Sequence, residues 1–223
     1  MKFADILASL IHDMKNSLGM VINTLDELTH MPALDALSQR VKMTALQQEA
    51  KRLNSNLIEL LTLYKIENER ISANVEEINM GEFLEEVVLD TQAVARSRDV
   101  DLTWSCDPDL DGYFDEGLVR GVLNNLIGNG LRYTHERLQV LADQRDGYLV
   151  LTVQDDGDGF PRAMLEAQDD PDQTTDAGME RTHLGIYFSR MVAELHHNGD
   201  QRGYIRLSND CPLGGGSFSL FLP

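Results

Sequence analysis

The sequence predicts an α+β chain in two parts: an N-terminal antiparallel helical hairpin, completed as a dimeric four-helix bundle, and a C-terminal α/β sandwich. Three observations carry this. Apolar residues in the first part recur at alternating steps of four and three. After Ile71 that period gives way to short strands and separate helices, and turns rich in glycine and aspartate separate them.

In the first part, Leu7, Ile11, Met14, Leu18, Val21, Leu25 and Leu28 form one heptad seam, and Leu46, Ala50, Leu53, Leu57, Leu60 and Tyr64 form a second. His30-Met31-Pro32 separates them, because proline disfavours helical geometry at the residue before it. One hairpin cannot bury both seams together with Ile58 and Leu61, so a homodimeric four-helix bundle is the expected completion. The same periodicity also suits a coiled-coil spacer with no chemistry of its own.

The second part is predicted to open with a helix over 81–98 and a short strand over 101–105, where Leu102 and Trp104 alternate with polar neighbours. Asp107-Pro108-Asp109 makes a turn. A helix over 117–133 places Leu118, Val122, Leu126 and Ile127 on one side, and strands over 138–141 and 148–154 are joined through 143–147. Residues 161–182 carry six Asp or Glu and few large apolar side chains, which predicts a mobile loop. A helix over 185–195 and closing strands over 204–208 and 217–222, joined by the turn holding Gly214, Gly215 and Gly216, complete the set. Together they make one mixed sheet with helices on one face. The seam between the parts falls at 72–80, giving domains of residues 1–72 and 80–223.

Composition narrows the partners. A formal net charge of -18 argues against nucleic acid and against an anionic membrane surface, both of which require clustered Lys and Arg. Cys106 and Cys211 lie far apart without metal-type spacing, which fits reduced thiols in a cytosolic protein. The N-terminus lacks a signal-peptide pattern, and no apolar run reaches the ~18 residues a membrane helix needs, so a cytoplasmic location is expected.

Two segments carry chemistry. Asp155-Asp156-Gly157-Asp158-Gly159 follows an apolar strand. A carboxylate there accepts a hydrogen bond from an exocyclic amine of a purine, while glycines let the backbone come close. Asn125 and Asn129 lie four apart and so share a helix face, where amide oxygens suit a hard cation such as magnesium; Arg132 and Tyr133 follow one turn on, suited to a phosphate and to a base or sugar. Taken singly, an ordinary acidic turn and a solvated polar helix face are the better explanations of these segments.

Their order adds what each lacks alone. The stretch from Asn125 to Thr134 (NLIGNGLRYT) resembles the N box of the histidine kinase ATPase family, and DDGDGFP from Asp155 resembles its first glycine box. Gly214-Gly215-Gly216-Ser217-Phe218 is similar to its last glycine box. His12-Asp13-Met14-Lys15-Asn16-Ser17-Leu18 resembles the phosphoacceptor box of the dimerisation and phosphotransfer domain, and 49–63 resembles the matching second helix. The resemblance covers essentially the whole chain.

It implies ATP and Mg2+ as cofactors. His12, at the rim of the bundle beside Ile11, would take the γ-phosphoryl group, with Asp13 orienting the ring and accepting its proton and Asn16 positioning water for dephosphorylation of the partner. Asn129 would hold magnesium with Asn125 in support, Arg132 and Tyr133 would line the nucleotide, Asp155 would read the adenine amine, and Gly157, Gly159, Gly185 and Gly216 would shape the loops. The implied partners are a response-regulator receiver domain, a second copy of the chain and, because His12 lies so near Met1, a separate sensory protein; an excised fragment is the other explanation of that position. The pattern departs at the second glycine box, where Arg181-Thr182-His183-Leu184-Gly185 keeps only its last glycine; there is no aromatic-rich F box, and Ser17 stands where many relatives carry proline. Alternatives to an active kinase are therefore a phosphotransfer protein or regulator phosphatase with a degenerate ATP site, and a dimeric scaffold.

Overall fold

The computed structural model describes residues 3–30, 36–68, 72–168 and 183–223. They divide into two compact units: the two N-terminal helices with 183–184 form one, and 72–168 with 185–223 form the other.

Helix α1 (Phe3–His30) and helix α2 (Ala36–Glu67) pack against each other. Lys42, near the start of α2, pairs with Glu27, near the end of α1, as antiparallel helices require. The predicted break at Met31-Pro32 lies outside the described residues. Each heptad seam divides cleanly. Met14, Val21 and Leu28 on α1 and Leu46, Leu53 and Leu60 on α2 are half-buried, while Ile11, Leu18, Leu25, Ala50, Leu57 and Tyr64 stay exposed. One position of each heptad is thus left largely exposed among the described residues. Among the described residues, no helix is long and apolar enough to cross a membrane.

The second unit runs β1 (Glu76–Asn79), α3 (Met80–Arg96), β2 (Asp101–Ser105), β3 (Asp111–Phe114), α4 (Glu116–Tyr133), β4 (Arg137–Arg145), β5 (Tyr148–Asp155), α5 (Arg162–Ala167), α6 (His183–Leu195), β6 (His197–Asn198), β7 (Gln201–Arg202), β8 (Tyr204–Ser208) and β9 (Ser217–Leu222). Five strands form a mixed sheet in the order β2-β4-β5-β9-β8, with β2–β4 parallel and the other pairs antiparallel. Leu138, Val140, Leu151, Val153, Phe218 and Leu220 point into the core from alternate positions, as one-sided burial demands. Helices α3 and α4 pack onto the strands, and Phe188 of α6 lies against Gly121 of α4. The opposite face carries polar pairs (Thr152 with Ser219, Gln154 with Gln139) and an aromatic group of Tyr148, Tyr204 and Phe221.

Local chemistry explains the boundaries. The side chain of Asn79 accepts from Glu82 N at 3.1 Å and that of Asp115 from Leu118 N at 2.9 Å, so each starts its helix as an N-cap. Strand β4 runs beyond its predicted end at Leu141 to Arg145 because Asp146 and Gly147 both take positive φ (51° and 83°), the geometry of a two-residue hairpin turn. The loop expected over 161–182 begins instead with helix α5: Pro161 precedes it, Met164 is buried, and Arg162 pairs with Glu166 one turn on. Residues 169–182 lie outside the described residues. The ribbon β1–β3 has no period that the sequence could show, because its four-residue strands carry only one or two apolar side chains each.

His196 ties two helices together. It is 2 % exposed; its Nε2 accepts from Asp115 N at 2.9 Å, so the ring proton sits on Nδ1, 2.7 Å from Val192 O. Burial pushes its pKa below the ordinary value, against the opposing pull of the Val192 carbonyl and the Asp115 charge.

Candidate functional site

Strand β5 delivers Asp155 next to the start of β9. Asp155 N donates to Gly216 O at 2.9 Å and Gly215 N donates to Asp155 O at 3.1 Å, so the β5–β9 ladder continues past its last paired strand residues into the glycine turn. The Oδ1 atom of Asp155 accepts from Gly157 N at 2.8 Å and Gly216 N at 3.2 Å. Its Oδ2 accepts no hydrogen bond among the described residues, which leaves one carboxylate oxygen oriented by its twin and open to a donor.

Glycine is obligatory around this carboxylate. A Cβ on Gly157 would lie 2.2 Å from Tyr133 O, and one on Gly215 would lie 2.5 Å from Asp155 O. Both obstacles are backbone atoms and cannot swing aside. The half-buried Cys211 thiol sits beside the turn, 3.4 Å from Gly215 O. Gly159 has φ +74°, and Asn209 holds the next residue from both sides: Phe160 N donates to Asn209 Oδ1 at 2.7 Å, and Asn209 Nδ2 donates to Phe160 O at 2.9 Å.

A second set lies along α4. Asn129 Nδ2 donates to Asn125 Oδ1 at 2.9 Å, and Asn129 Oδ1 accepts no hydrogen bond among the described residues. Gly185 of α6 approaches so closely that a Cβ there would lie 2.3 Å from Asn125 Oδ1. Arg132 and Tyr133 are exposed on the last turn of α4, and Tyr133 O meets Gly157, so the two sets adjoin. Among the described residues, no group of three or more His, Cys, Asp or Glu could hold a metal ion. A cation here would have few protein oxygens and would need phosphate and water ligands, as magnesium prefers.

Asp155, Gly157, Gly159 and Gly216 thus come together on one side, and Asn125, Asn129, Arg132, Tyr133 and Gly185 on the other. Asn16 is exposed on helix α1 in the other unit; the side chains of His12 and Asp13, on the same helix, lie outside the described residues, as do Arg181 and Thr182 and the side chains of His183 and Leu184. Sequence reasoning did not single out Asp156, Asn209 or Gly215 for a role. Asp156 Oδ1 accepts from Thr134 Oγ1 at 2.7 Å and from the backbone N–H groups of His135, Glu136 and Arg137 at 3.0, 3.0 and 3.1 Å. Only the doubled acid Asp155-Asp156 hinted at it.

Residues 114–223 match the family of histidine kinase-, DNA gyrase B- and HSP90-like ATPases. The sensor protein kinase PilS of Pseudomonas aeruginosa is 30% identical over 197 residues, covering 85% of this chain and 36% of that protein. The sensor protein SrrB of Staphylococcus aureus is 22% identical over 198 residues, covering 86% of this chain and 34% of that protein. The chain therefore spans about a third of the length of these curated relatives. Among solved structures, the Acinetobacter baumannii histidine kinase AdeS shares the fold at TM-score 0.68 and 18% identity, covering 95% of this chain and 96% of that one. The catalytic domain of histidine kinase ThkA does so at TM-score 0.56 and 23% identity, covering 67% of this chain and 95% of that one. Residues 114–223 are a domain of the histidine kinase-, DNA gyrase B- and HSP90-like ATPases, on a chain similar to sensor histidine kinases along most of its length.

Proposed function

We propose that this chain is the kinase core of a two-component system, which transfers the γ-phosphoryl group of ATP to His12 and then to an aspartate on a response-regulator receiver domain. The single observation that carries the nucleotide half is Asp155: one oxygen is fixed by two glycine N–H groups and the other is open, in a cradle where no Cβ fits. In this reading Asp155 Oδ2 accepts from the adenine amine, and Gly157, Gly159, Gly185 and Gly216 let backbone approach the nucleotide. Asn129 offers Oδ1 to magnesium while Asn125 fixes the orientation of its amide; Arg132 meets phosphate and Tyr133 covers base or sugar. Bound magnesium would neutralise charge on the triphosphate as the bond to the leaving oxygen breaks.

His12 then acts as nucleophile: its ring nitrogen forms the bond to phosphorus, ADP leaves, and the ring proton passes to Asp13. Asn16, exposed on the next turn of α1, orients water when the regulator is dephosphorylated. The bare half of each heptad seam supports a homodimeric four-helix bundle as the working state. The cytoplasm is the compartment in which ATP and the regulator meet this core.

Asp155→Asn tests the nucleotide half. The amide presents an N–H group in place of a carboxylate oxygen, and calorimetric titration with Mg-ATP is expected to show at least a roughly tenfold loss of affinity, the value of one charge-assisted hydrogen bond. Unchanged affinity removes Asp155 from the role. The reduced second glycine box, with Gly185 as its one remaining glycine, favours a second reading in which His12 receives its phosphoryl group from a regulator aspartate instead.

A further inference from the structure

We propose that Asp156, resting on the nucleotide reading above, is a positioning residue that keeps the adenine end of the site in register with its metal end. Asp155 and Asp156 share one peptide and are anchored in opposite directions. Asp155 is tied to the turn that starts β9, through Gly215 and Gly216. Asp156 is tied to the end of α4. Its Oδ1 accepts from Thr134 Oγ1 and from three successive backbone N–H groups at 135–137, while Arg137 Nε lies 3.4 Å from Oδ2 and His135 Nδ1 lies 2.8 Å from the Asp156 carbonyl oxygen.

The consequence is geometric. Helix α4 is a stiff rod carrying Asn125 and Asn129, and Asn129 lies five residues before Thr134, about 7.5 Å along the axis. Fixing the far end of the rod against the peptide that carries Asp155 sets the distance a nucleotide must span between its base contact and its metal contact. Gly157, pressed against Tyr133 O, closes the same joint from the other side. Partial burial pushes the Asp156 carboxyl up, but the Thr134 hydroxyl and the three backbone donors outweigh it and hold the group well below the usual carboxylate range. The anchor is therefore charged at every pH at which ATP chemistry runs.

A purely structural staple and a positioning residue predict different titrations. The 223-residue chain is titrated with ATP, with and without magnesium, as wild type, Asp156→Ala, Asp156→Asn and the gentler Thr134→Val, and the factor by which magnesium tightens ATP binding is compared. Asp156→Ala is expected to cut that factor roughly tenfold or more while metal-free affinity stays within about threefold, because misplacement by about an ångström is costly only where two ends must be met at once. Asp156→Asn keeps an oxygen acceptor for the neutral donors and is expected to retain the factor within about threefold; Thr134→Val, lacking one donor, is expected to fall between them. Equal losses with and without magnesium, or a factor unchanged in both Asp156→Ala and Thr134→Val, overturn the proposal. A wild type that binds no nucleotide removes both this proposal and the reading beneath it, whereas wild-type binding with the factor intact in the variants removes the role of Asp156 alone.

Discussion

The two units solve opposite problems. Among the described residues, ten of the fifteen exposed large apolar side chains lie on the two N-terminal helices, including Ile11, Leu18, Leu25, Leu57 and Tyr64, whereas the second unit closes its core over Leu123, Ile127, Leu138, Leu151 and Leu220. Charge separates them as well. Residues 1–70 hold nine acidic and eight basic side chains, and residues 71–223 hold 28 acidic and 11 basic, every basic one an arginine. The hairpin is thus near neutral and unfinished as a single copy, which suits a surface completed by another chain. The second unit is complete but strongly anionic, so a polyanionic ligand must be held by fixed backbone donors, a cation and close approach rather than by a general positive field.

Charging the bare seam tests the first half of that contrast and has the largest expected effect. Burying one such leucine is worth about 1.5–3 kcal/mol, and a symmetric dimer counts each change twice, so Leu18→Asp with Leu57→Asp weakens association by roughly 1,000-fold or more. Light scattering is then expected to report a single chain of 25.0 kDa where the wild type gives a dimer, with the melting of the second unit unchanged. A wild type already monomeric at tens of micromolar would erase the contrast.

Gly157→Ala probes the closed unit. With a backbone oxygen 2.2 Å from the new Cβ, the joint must open, at an expected cost of about 1–3 kcal/mol in stability together with loss of nucleotide binding. Gly128→Ala, inside helix α4 with nothing within 4 Å of its Cβ, is expected to be neutral or to stabilise by up to about 1 kcal/mol. Thermal melts of the two variants side by side check the difference; matching melts would mean the cradle is looser than its geometry.

The smallest effect is a pH slope. The folded pKa of His196 lies below its ordinary 6.5, so the unfolded chain binds more protons in that window. The stability it contributes is complete above the unfolded value and lost as pH falls through it toward the folded one. His196→Gln is expected to flatten that part of the curve in urea unfolding at a series of pH values. The hairpin helices are expected to show no matching slope from this residue.

How much was legible beforehand follows the same division. Heptad spacing named both long helices and the residues of their seams, because helical period repeats along a single segment. It did not say which half of each seam would stay bare, since Ile11 and Met14 are alike until a neighbouring helix covers one of them. In the second unit, Asp155, Asn125 and Asn129 stood out as chemistry-bearing residue types with known spacing. Asp156 and Asn209 did not, because their partners at 134–137 and at Phe160 are brought to them only by the fold. Helix α5 was hidden for the opposite reason: six residues give too few turns for a period to register, and only the burial of Met164 reveals why they coil.

The most direct test of the central claim is transfer of label from γ-labelled ATP with magnesium to the wild-type chain and to His12→Gln. Acid-labile label is expected on the wild type and none on the variant. Label on neither chain, with label acquired by the wild type from a phosphorylated receiver domain, would contradict ATP as the donor; equal label on both would contradict His12 as the acceptor.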